Sequence, residues 1–552
     1  MFRTLLPLFC LLLATSSDAL AQDYDLAGAR RPKPDMSLKR SNQYKRVHQV
    51  TLRYMLRDRA DEAREYITRY IDEHPDDAES RFLLGLLDAT AGNPQQAAAA
   101  FEKALDNGLP PGRLIAGPRE LIAPVRNEPL LKRVFADYAA VPVHGPLVGH
   151  TTDTSVSIWV RTAQEAAVRV VVGTGPELKN AITSPPVTAR AENDYTAVVT
   201  VEGLQPHTGY HYAIQIGDGP RQLRDDQHFR TFPTAGKAAK FVLAFGGGAG
   251  YVPPHERMWD TIRETHPLAL LLLGDNVYID DPESPKMQRY TYYRRQSRPE
   301  WRQLTAQTSV YTIWDDHDFS TNDSWGGPQI DQPFWKRDYA WTIYRENWAN
   351  PGYAGGYEQP GCWYRFAIGD VDFIMLDCRY YRTNPRDDEP TMLGPVQMEW
   401  LKSQLLDCRG TFKVICSSVP WDYRTKGDSR DTWNGYKSER DEIFGFLAEH
   451  DIDGVVLMSA DRHRSDAWKI ERPGSYPLYE FNSSRLTNQH VHPTMEKQGA
   501  IFSYNAKQSF GLVHFDTTAD DPTVTYDVIS IDGERVHSLT VRRSELGGGD
   551  RN

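Results

Sequence analysis

The chain has 552 residues, enough on length alone for about three domains of roughly 150 residues each. Hydrophobic residues make up 40% and charged residues 25%, a balance that supports large cores and argues against extended disorder. The formal net charge of -11 argues against a nucleic-acid binder that works by bulk charge, while leaving room for a local basic pocket.

Residues 1–21 read as a secretory signal peptide: Arg3, an apolar run from Leu5 to Ala14, then Ala19-Leu20-Ala21. The run is too short to span a bilayer as a mature helix, and Cys10 lacks the small residues a lipoprotein cleavage site needs before it. The expected mature protein starts near Gln22 and is secreted or periplasmic, with no membrane span. Cys362, Cys378, Cys408 and Cys416 remain in it. They form no C-x-x-C pair, so a zinc ribbon or redox motif is unsupported; one or two disulfides and buried free thiols stay equally open.

From 44 to 138 the apolar period is helical. Leu84, Gly85, Ala97, Phe101 and Ala104, with Pro110 beyond, follow the tetratricopeptide pattern, and Ala63, Ile67, Tyr70 and Pro75 repeat it one period earlier. Two repeats are expected, either as a brace for the rest of the chain or as a platform for a protein partner. From 141 to 235 the period becomes two. Ser155–Val160, Ala167–Val170 and Thr196–Val201 alternate, and Gly203-Leu204 leads to Pro206, Thr208, Tyr210 and Tyr212. This predicts a small β-sandwich resembling a fibronectin type III domain, with a tyrosine at a corner and no chemistry of its own.

From 239 to 540 apolar strands alternate with helices. Phe241–Phe245, Ala269–Leu273, Val310–Trp314, Phe373–Leu376, Phe412–Ile415 and Val455–Met458 are each apolar enough for a sheet buried on both faces. Ligands of such sheets bind beyond the strand ends. Leu273 is followed by Gly274-Asp275-Asn276-Val277-Tyr278. Trp314 is followed by Asp315-Asp316-His317-Asp318, then Asn322 and Asp323, and Met458 by Ser459-Ala460-Asp461-Arg462-His463. An isolated Asp-rich loop is commonly a turn or a helix cap. Three strand ends that each deliver Asp, two of them with His, need cations or shared protons, and Asp, His, Asn and Tyr suit a hard or borderline metal.

Gly274-Asp275-x-x-Tyr278, Trp314-Asp315-Asp316-His317-Asp318 and Asp461-x-His463 resemble the motifs of the PhoD-like alkaline phosphatases and phosphodiesterases, within the calcineurin-like metallophosphatases. Leu376–Arg382, Leu393-Gly394-x-x-Gln397-x-x-Trp400 and Ser417–Trp421 add to the resemblance, whose motif order holds over about 239–531. The preceding β-sandwich fits the family; the helical segment is an extra element. The architecture implied is multidomain: an α-helical tetratricopeptide-like segment, a fibronectin III-like sandwich, then an α/β metallophosphatase sandwich.

The resemblance implies a phosphoesterase acting on phosphodiesters or monoesters with two divalent metals roughly 3.5–4 Å apart that activate water. Asp275 would bridge them. Tyr278 and His463 would bind the first, Asp316 and Asp461 the second, and Asn322 would be a further ligand or a phosphate contact. His317 would stabilise the transition state or protonate the leaving oxygen, and Arg379 or Arg382 would fork onto phosphate oxygens. One departure stands out. Phe245-Gly246-Gly247-Gly248-Ala249-Gly250 puts Gly248 where the family carries an iron-binding Cys. That makes iron doubtful and leaves three readings: water or a backbone carbonyl fills the gap, the site takes calcium, manganese or zinc, or it is degenerate. In the last case the chain is a binding or scaffold protein using its helices and sandwich.

Elsewhere the plainer reading leads. Tyr290, Tyr292, Tyr293, Arg289, Arg294, Arg295 and Arg298 predict a solvated helix with packed aromatics, with a cleft wall as the alternative. His490 and His492 are expected at the surface, within possible reach of the site.

Overall fold

The computed structural model describes Ala29 and residues 44–547. The signal peptide expected over 1–21 lies outside the described residues. Among the described residues no helix is long and apolar enough to cross a membrane.

Four helices open the described chain: α1 (Tyr44–Leu56), α2 (Ala60–Glu73), α3 (Ala78–Thr90) and α4 (Pro94–Asp106). Local signals set their starts. Asp77 caps α3 by accepting from Ser80 N–H at 2.7 Å, and Pro94 occupies the first turn of α4. The Phe101 ring of α4 packs on Gly85 of α3. Short turns and the helix Pro129–Asp137 then lead into the β region.

The expected β-sandwich is present, but one of its sheets is not separate. Strands His144–Gly149, Ser155–Arg161 and Thr196–Glu202 continue the sheet of the following α/β region, because Gly149 pairs in parallel with Val310. The opposing sheet runs Lys179–Thr183, Ala166–Thr174, Gly209–Ile216 and His228–Arg230, with Val187–Ala189 on its second strand. The two faces share a valine-rich core of their own. Tyr210 closes the corner, its hydroxyl accepting from Gln205 N–H at 2.9 Å.

The α/β region is a sandwich of two mixed sheets rather than one sheet. In the first, Lys240–Gly246, Ala269–Leu273 and Ser309–Ile313 are parallel neighbours, extended by the antiparallel strands Ser509–Asp516, Thr523–Ser530 and Arg535–Arg542. In the second, Val371–Met375, Phe412–Cys416, Val455–Ser459 and Leu478–Ser483 are parallel. The sheets meet face to face through Phe245, Tyr526 and Phe481, with ring centroids 5.5 and 4.9 Å apart. Helices Gly394–Asp407 and Lys437–Glu449 cover the outer face of the second sheet.

One expectation is corrected. The helix Pro285–Gln296 is not solvated: Tyr290, Tyr292, Tyr293, Arg294 and Arg295 are all buried. It is wedged between the helical segment and the sandwich, where Tyr290 donates to Glu79 at 2.7 Å and Tyr293 to Asp194 at 2.7 Å. The four cysteines settle as buried free thiols.

The helical segment is seated on the α/β region, not beside it. On α1, Arg53 pairs with Asp281 at 3.0 Å and donates to the Asp280 carbonyl at 2.9 Å. Arg46 pairs with Asp280 at 2.7 Å, and the Gln49 amide donates to the Tyr278 carbonyl. One hydrophobic core runs without a break from Val47 and Val50 through Trp159 to both sheets. Removing one member of a buried ion pair strands the other, at a cost of about 3 kcal/mol. Arg53→Met is therefore expected to lower the denaturation midpoint and expose α1 to protease; an unchanged midpoint would show that the helix is not docked in solution.

Candidate functional site

The site forms where parallel strands of the two sheets end side by side. The strand Ala269–Leu273 delivers Asp275 and Tyr278, Ser309–Ile313 delivers Asp315 to Asp318, and Val455–Ser459 delivers Asp461 and His463. The turns are tight. Asp275, Asp280, Asp323, Asp461, His463 and Arg485 all hold φ between 49° and 76°. Left-handed backbone at non-glycine residues is costly, and it gathers where a site must be held rigidly.

Tyr278 donates its hydroxyl to Asp275 Oδ2 at 2.9 Å and lies 3.3 Å from His463 Nε2. These three residues come from both sheets and converge on one point. Asp275, Asp316 and His317 form an adjoining group whose donor atoms all lie within 4.8 Å of one another, and Asp316, Asp323 and Asp431 form a third. Asp316 is oriented by the backbone N–H groups of His317 and Asp323, at 3.0 and 2.6 Å. Asp461 pairs with Arg462 at 3.3 Å and with Lys426 at 3.4 Å; Lys426 also pairs with Asp431 at 2.9 Å and Asp323 at 3.5 Å.

Of the other predicted residues, Asn322 is exposed at the rim of this loop. Arg379 and Arg382 are fully enclosed and hold carboxylates. Arg379 pairs with Asp315 at 2.6 Å and Asp431 at 2.8 Å, and Arg382 with Asp431 at 3.0 Å and the Tyr436 hydroxyl at 2.8 Å. Asp318 accepts from the N–H groups of Asp315 and Val277 at 3.0 and 2.9 Å, so it fixes the turn.

Burial raises Asp275 and Tyr278 well above their ordinary values; Asp316 adds to the Asp275 shift, and Asp275 and Asp316 add to that of Tyr278. Burial holds His463 neutral, the form in which imidazole binds a metal. Burial also works against charge on His317, but Asp280, Asp316 and Asp275 outweigh it and raise it to about 10. Its Nδ1 is bonded to Asp280. Asp275 Oδ1 and His463 Nδ1 are buried and engage nothing. An orphaned carboxylate oxygen among Asp275, Asp316 and His317 and an orphaned imidazole nitrogen among His463, His490 and His492 are donors of the kind a hard or borderline cation takes, so the residues present fit a metal.

Sequence reasoning missed Asn488, Lys426, Asp431, Asp280 and Lys45. Asn488 donates to the Tyr278 hydroxyl at 2.5 Å and lies 3.4 Å from His463 Nε2. The available signal was the polar run that follows each parallel strand, 417–431 after Phe412–Cys416 and 484–492 after Leu478–Ser483. His490, exposed as expected, and His492, half-buried, stand beside His463, with ring centroids 5.0 and 5.5 Å away. The three imidazoles have donor atoms within 4.8 Å of one another.

Gly248 lies on the His463 side. Its φ is +71°, and a Cβ there would stand 2.9 Å from the Arg485 backbone nitrogen and 3.5 Å from His463 Cδ2. The backbone has thus closed over the place a thiolate would use.

A family model described as PhoD-like phosphatase matches residues 243–526, just over half of the chain. A second, described as a domain of unknown function (DUF7800), matches residues 139–234. The chain is 21% identical over 377 residues to alkaline phosphatase D of Bacillus subtilis (strain 168), covering 58% of this chain and 64% of that protein. It thus spans less than two thirds of the curated relative's length. Among solved structures it is similar to PhoD, with TM-score 0.60 and 17% identity over 72% of this chain and 88% of that one. It is also similar to purple acid phosphatase PPD1 from yellow lupin (Lupinus luteus) seeds, with TM-score 0.55 and 13% identity over 73% and 75%. At these identities the structural likeness is one of fold.

Restoring the family's thiol does not restore its ligand here. Gly248→Cys is expected to lose about 1–2 kcal/mol from the left-handed backbone alone, before any clash with Arg485. Its metal content should not exceed that of the wild type; a rise in bound metal with unchanged stability would contradict this account.

Proposed function

This chain belongs to the PhoD-like phosphatase family, and we propose that it is a metal-dependent phosphoesterase acting on phosphodiesters, phosphomonoesters or both. The observation that carries this reading is the convergence of Asp275, Tyr278 and His463 from two sheets, beside a second carboxylate group built on Asp316.

Asp275, Tyr278 and His463 would hold one divalent cation; Asp275, Asp316 and Asp461 would hold a second, with Asn322 at its rim. When bound, such cations neutralise the clustered carboxylates, polarise the phosphoryl group and make water more acidic. The chain's own residues do the rest. Burial favours the protonated forms of Asp275 and Tyr278, so loading a cation would release protons. Asp280 anchors His317 through Nδ1 and keeps the ring charged, which presents Nε2–H to a phosphoryl or leaving oxygen. Arg379 and Arg382 hold Asp315 and Asp431 at the floor of the site; by these contacts their reach to substrate is through the carboxylates they orient. The Gly248 side lacks a thiolate, and His490 and His492 offer nitrogen donors there instead, which favours zinc-class or manganese-class ions over a thiolate-bound iron.

The helices we read as two tetratricopeptide-like pairs (44–138), the sandwich as fibronectin III-like (141–235) and the catalytic region as 239–540. The charged, apolar, Ala-x-Ala order of residues 1–21 supports export to the periplasm or outside the cell.

Stripped protein should hydrolyse neither bis-p-nitrophenyl phosphate nor p-nitrophenyl phosphate. Adding calcium, manganese, zinc or iron singly should restore turnover with at least one of them, and Asp275→Ala should lower it by at least about 100-fold, since even outer-sphere partners of a metal cost 10–100-fold. Absence of turnover and of bound metal would instead support a binding or scaffold protein. Metal per chain gives an independent reading of the imidazole group: His492→Ala should lower metal affinity by about tenfold, and unchanged metal content would remove His492 from the donor set.

A further inference from the structure

The first turn of α1 carries a lysine into the site. Lys45 is 6% exposed, and its ammonium stands 3.1 Å from the centroid of the Tyr278 ring. Among the described residues it forms no ion pair with any carboxylate; burial and Arg46 push its ammonium well below the usual lysine range, against the opposing charges of Asp280, Asp275 and Asp316. Each of those acids already has a partner, and Asp275 keeps its second oxygen unengaged. Asp280 is held by Arg46 and His317, Asp275 by Tyr278, and Asp316 by two backbone N–H groups. The other lysine of the site is different: Lys426 is shared by Asp323, Asp431 and Asp461.

The position of Lys45 is not an accident of a loose helix. Arg46 and Arg53 pair with Asp280 and Asp281, and Gln49 bonds to the Tyr278 carbonyl, so α1 is fastened to the same loop that carries Tyr278. A desolvated ammonium without a counter-ion is unfavourable unless an anion completes it. Lys45 borders a small cavity together with Tyr278, Arg294 and Arg295, a cationic lining that suits a compact anion.

We propose that Lys45 binds the phosphoryl group of the substrate, so that the N-terminal helical segment completes the phosphoesterase site rather than serving only as a brace or a dock for a protein partner. The proposal rests on the phosphoesterase reading. It makes Lys45 a phosphate-binding residue supplied from 230 residues away in sequence from Asp275, by an element outside the region the family model covers.

The test uses the full chain loaded with the metal that supports turnover, and inorganic phosphate as the probe in calorimetry. Lys45→Met should weaken phosphate binding by about tenfold or more, the loss of one charge-assisted contact, and should raise KM for p-nitrophenyl phosphate by a similar factor. Metal per chain and melting temperature should stay at wild-type values, and Lys45→Arg should recover most of the phosphate affinity. Phosphate affinity within about twofold of wild type in Lys45→Met would overturn the proposal. Faster turnover would also overturn it, by making α1 a plug, and so would a parallel fall in metal content in both variants, by making Lys45 structural. Wild-type protein that loads metal but neither binds phosphate nor hydrolyses the probes would sink the phosphoesterase reading and the proposal together. Wild-type turnover with an indifferent Lys45→Met would sink the proposal alone.

Discussion

Everything at the centre of this molecule follows from the concentration of buried carboxylates where two sheets end together. Asp275, Asp280, Asp315, Asp316, Asp318, Asp323, Asp431 and Asp461 share a region from which water is largely excluded. Like charges so placed cannot all ionise without compensation. The structure compensates in layers. Backbone N–H groups and a capping box take Asp318. Arg379 and Arg382 take Asp315 and Asp431, and Arg46 with His317 takes Asp280. What is left over is Asp275 with an orphaned oxygen, Tyr278 and His463 with an orphaned nitrogen. The compensating arginines belong to the floor because the residues above them must remain available to a cation.

That demand explains why the flanking elements are welded to the catalytic region. The sandwich contributes three strands to the first sheet, and its Asp194 receives Tyr293 and Arg161. The helical segment contributes Arg46, Gln49 and Arg53 to the loop at 278–281. A loop with Asp275 and Asp280 both in left-handed backbone is strained, and strain persists only where the surroundings over-determine the geometry. The two arms press on the helix Pro285–Gln296 from both sides, and its burial follows from that position rather than from its mean hydropathy.

Local signals made much of this legible in the sequence. The strands were readable as apolar runs, and the residues at their ends as chemistry, because a strand and the loop after it are contiguous. The tight corner at Tyr210 and the packing of Phe101 on Gly85 were readable for the same reason. The sequence could not show that these strands divide between two sheets, since pairing is a long-range property. Nor could it show that Lys45, Lys426 and Asn488 enter the site, because none of them lies in a motif with Asp275. The helix at 285–296 was misjudged because arginine and tyrosine resemble a solvated face until their partners, Glu79, Glu256 and Asp194, arrive from elsewhere in the chain.

Gly248 shows how one residue alters the chemistry that such a frame can support. A thiolate at that position would bring a soft, charged donor to the His463 side. Glycine removes it, and the space has closed: φ is +71° and the Arg485 backbone stands where a side chain would begin. On the same side Asn488 reaches the Tyr278 hydroxyl, and His490 and His492 stand next to His463. The donors available there are neutral amide and imidazole groups. A neutral set lowers the negative charge around the first cation position and shifts preference from a trivalent ion to a divalent one. A less negative site also repels an incoming phosphate less.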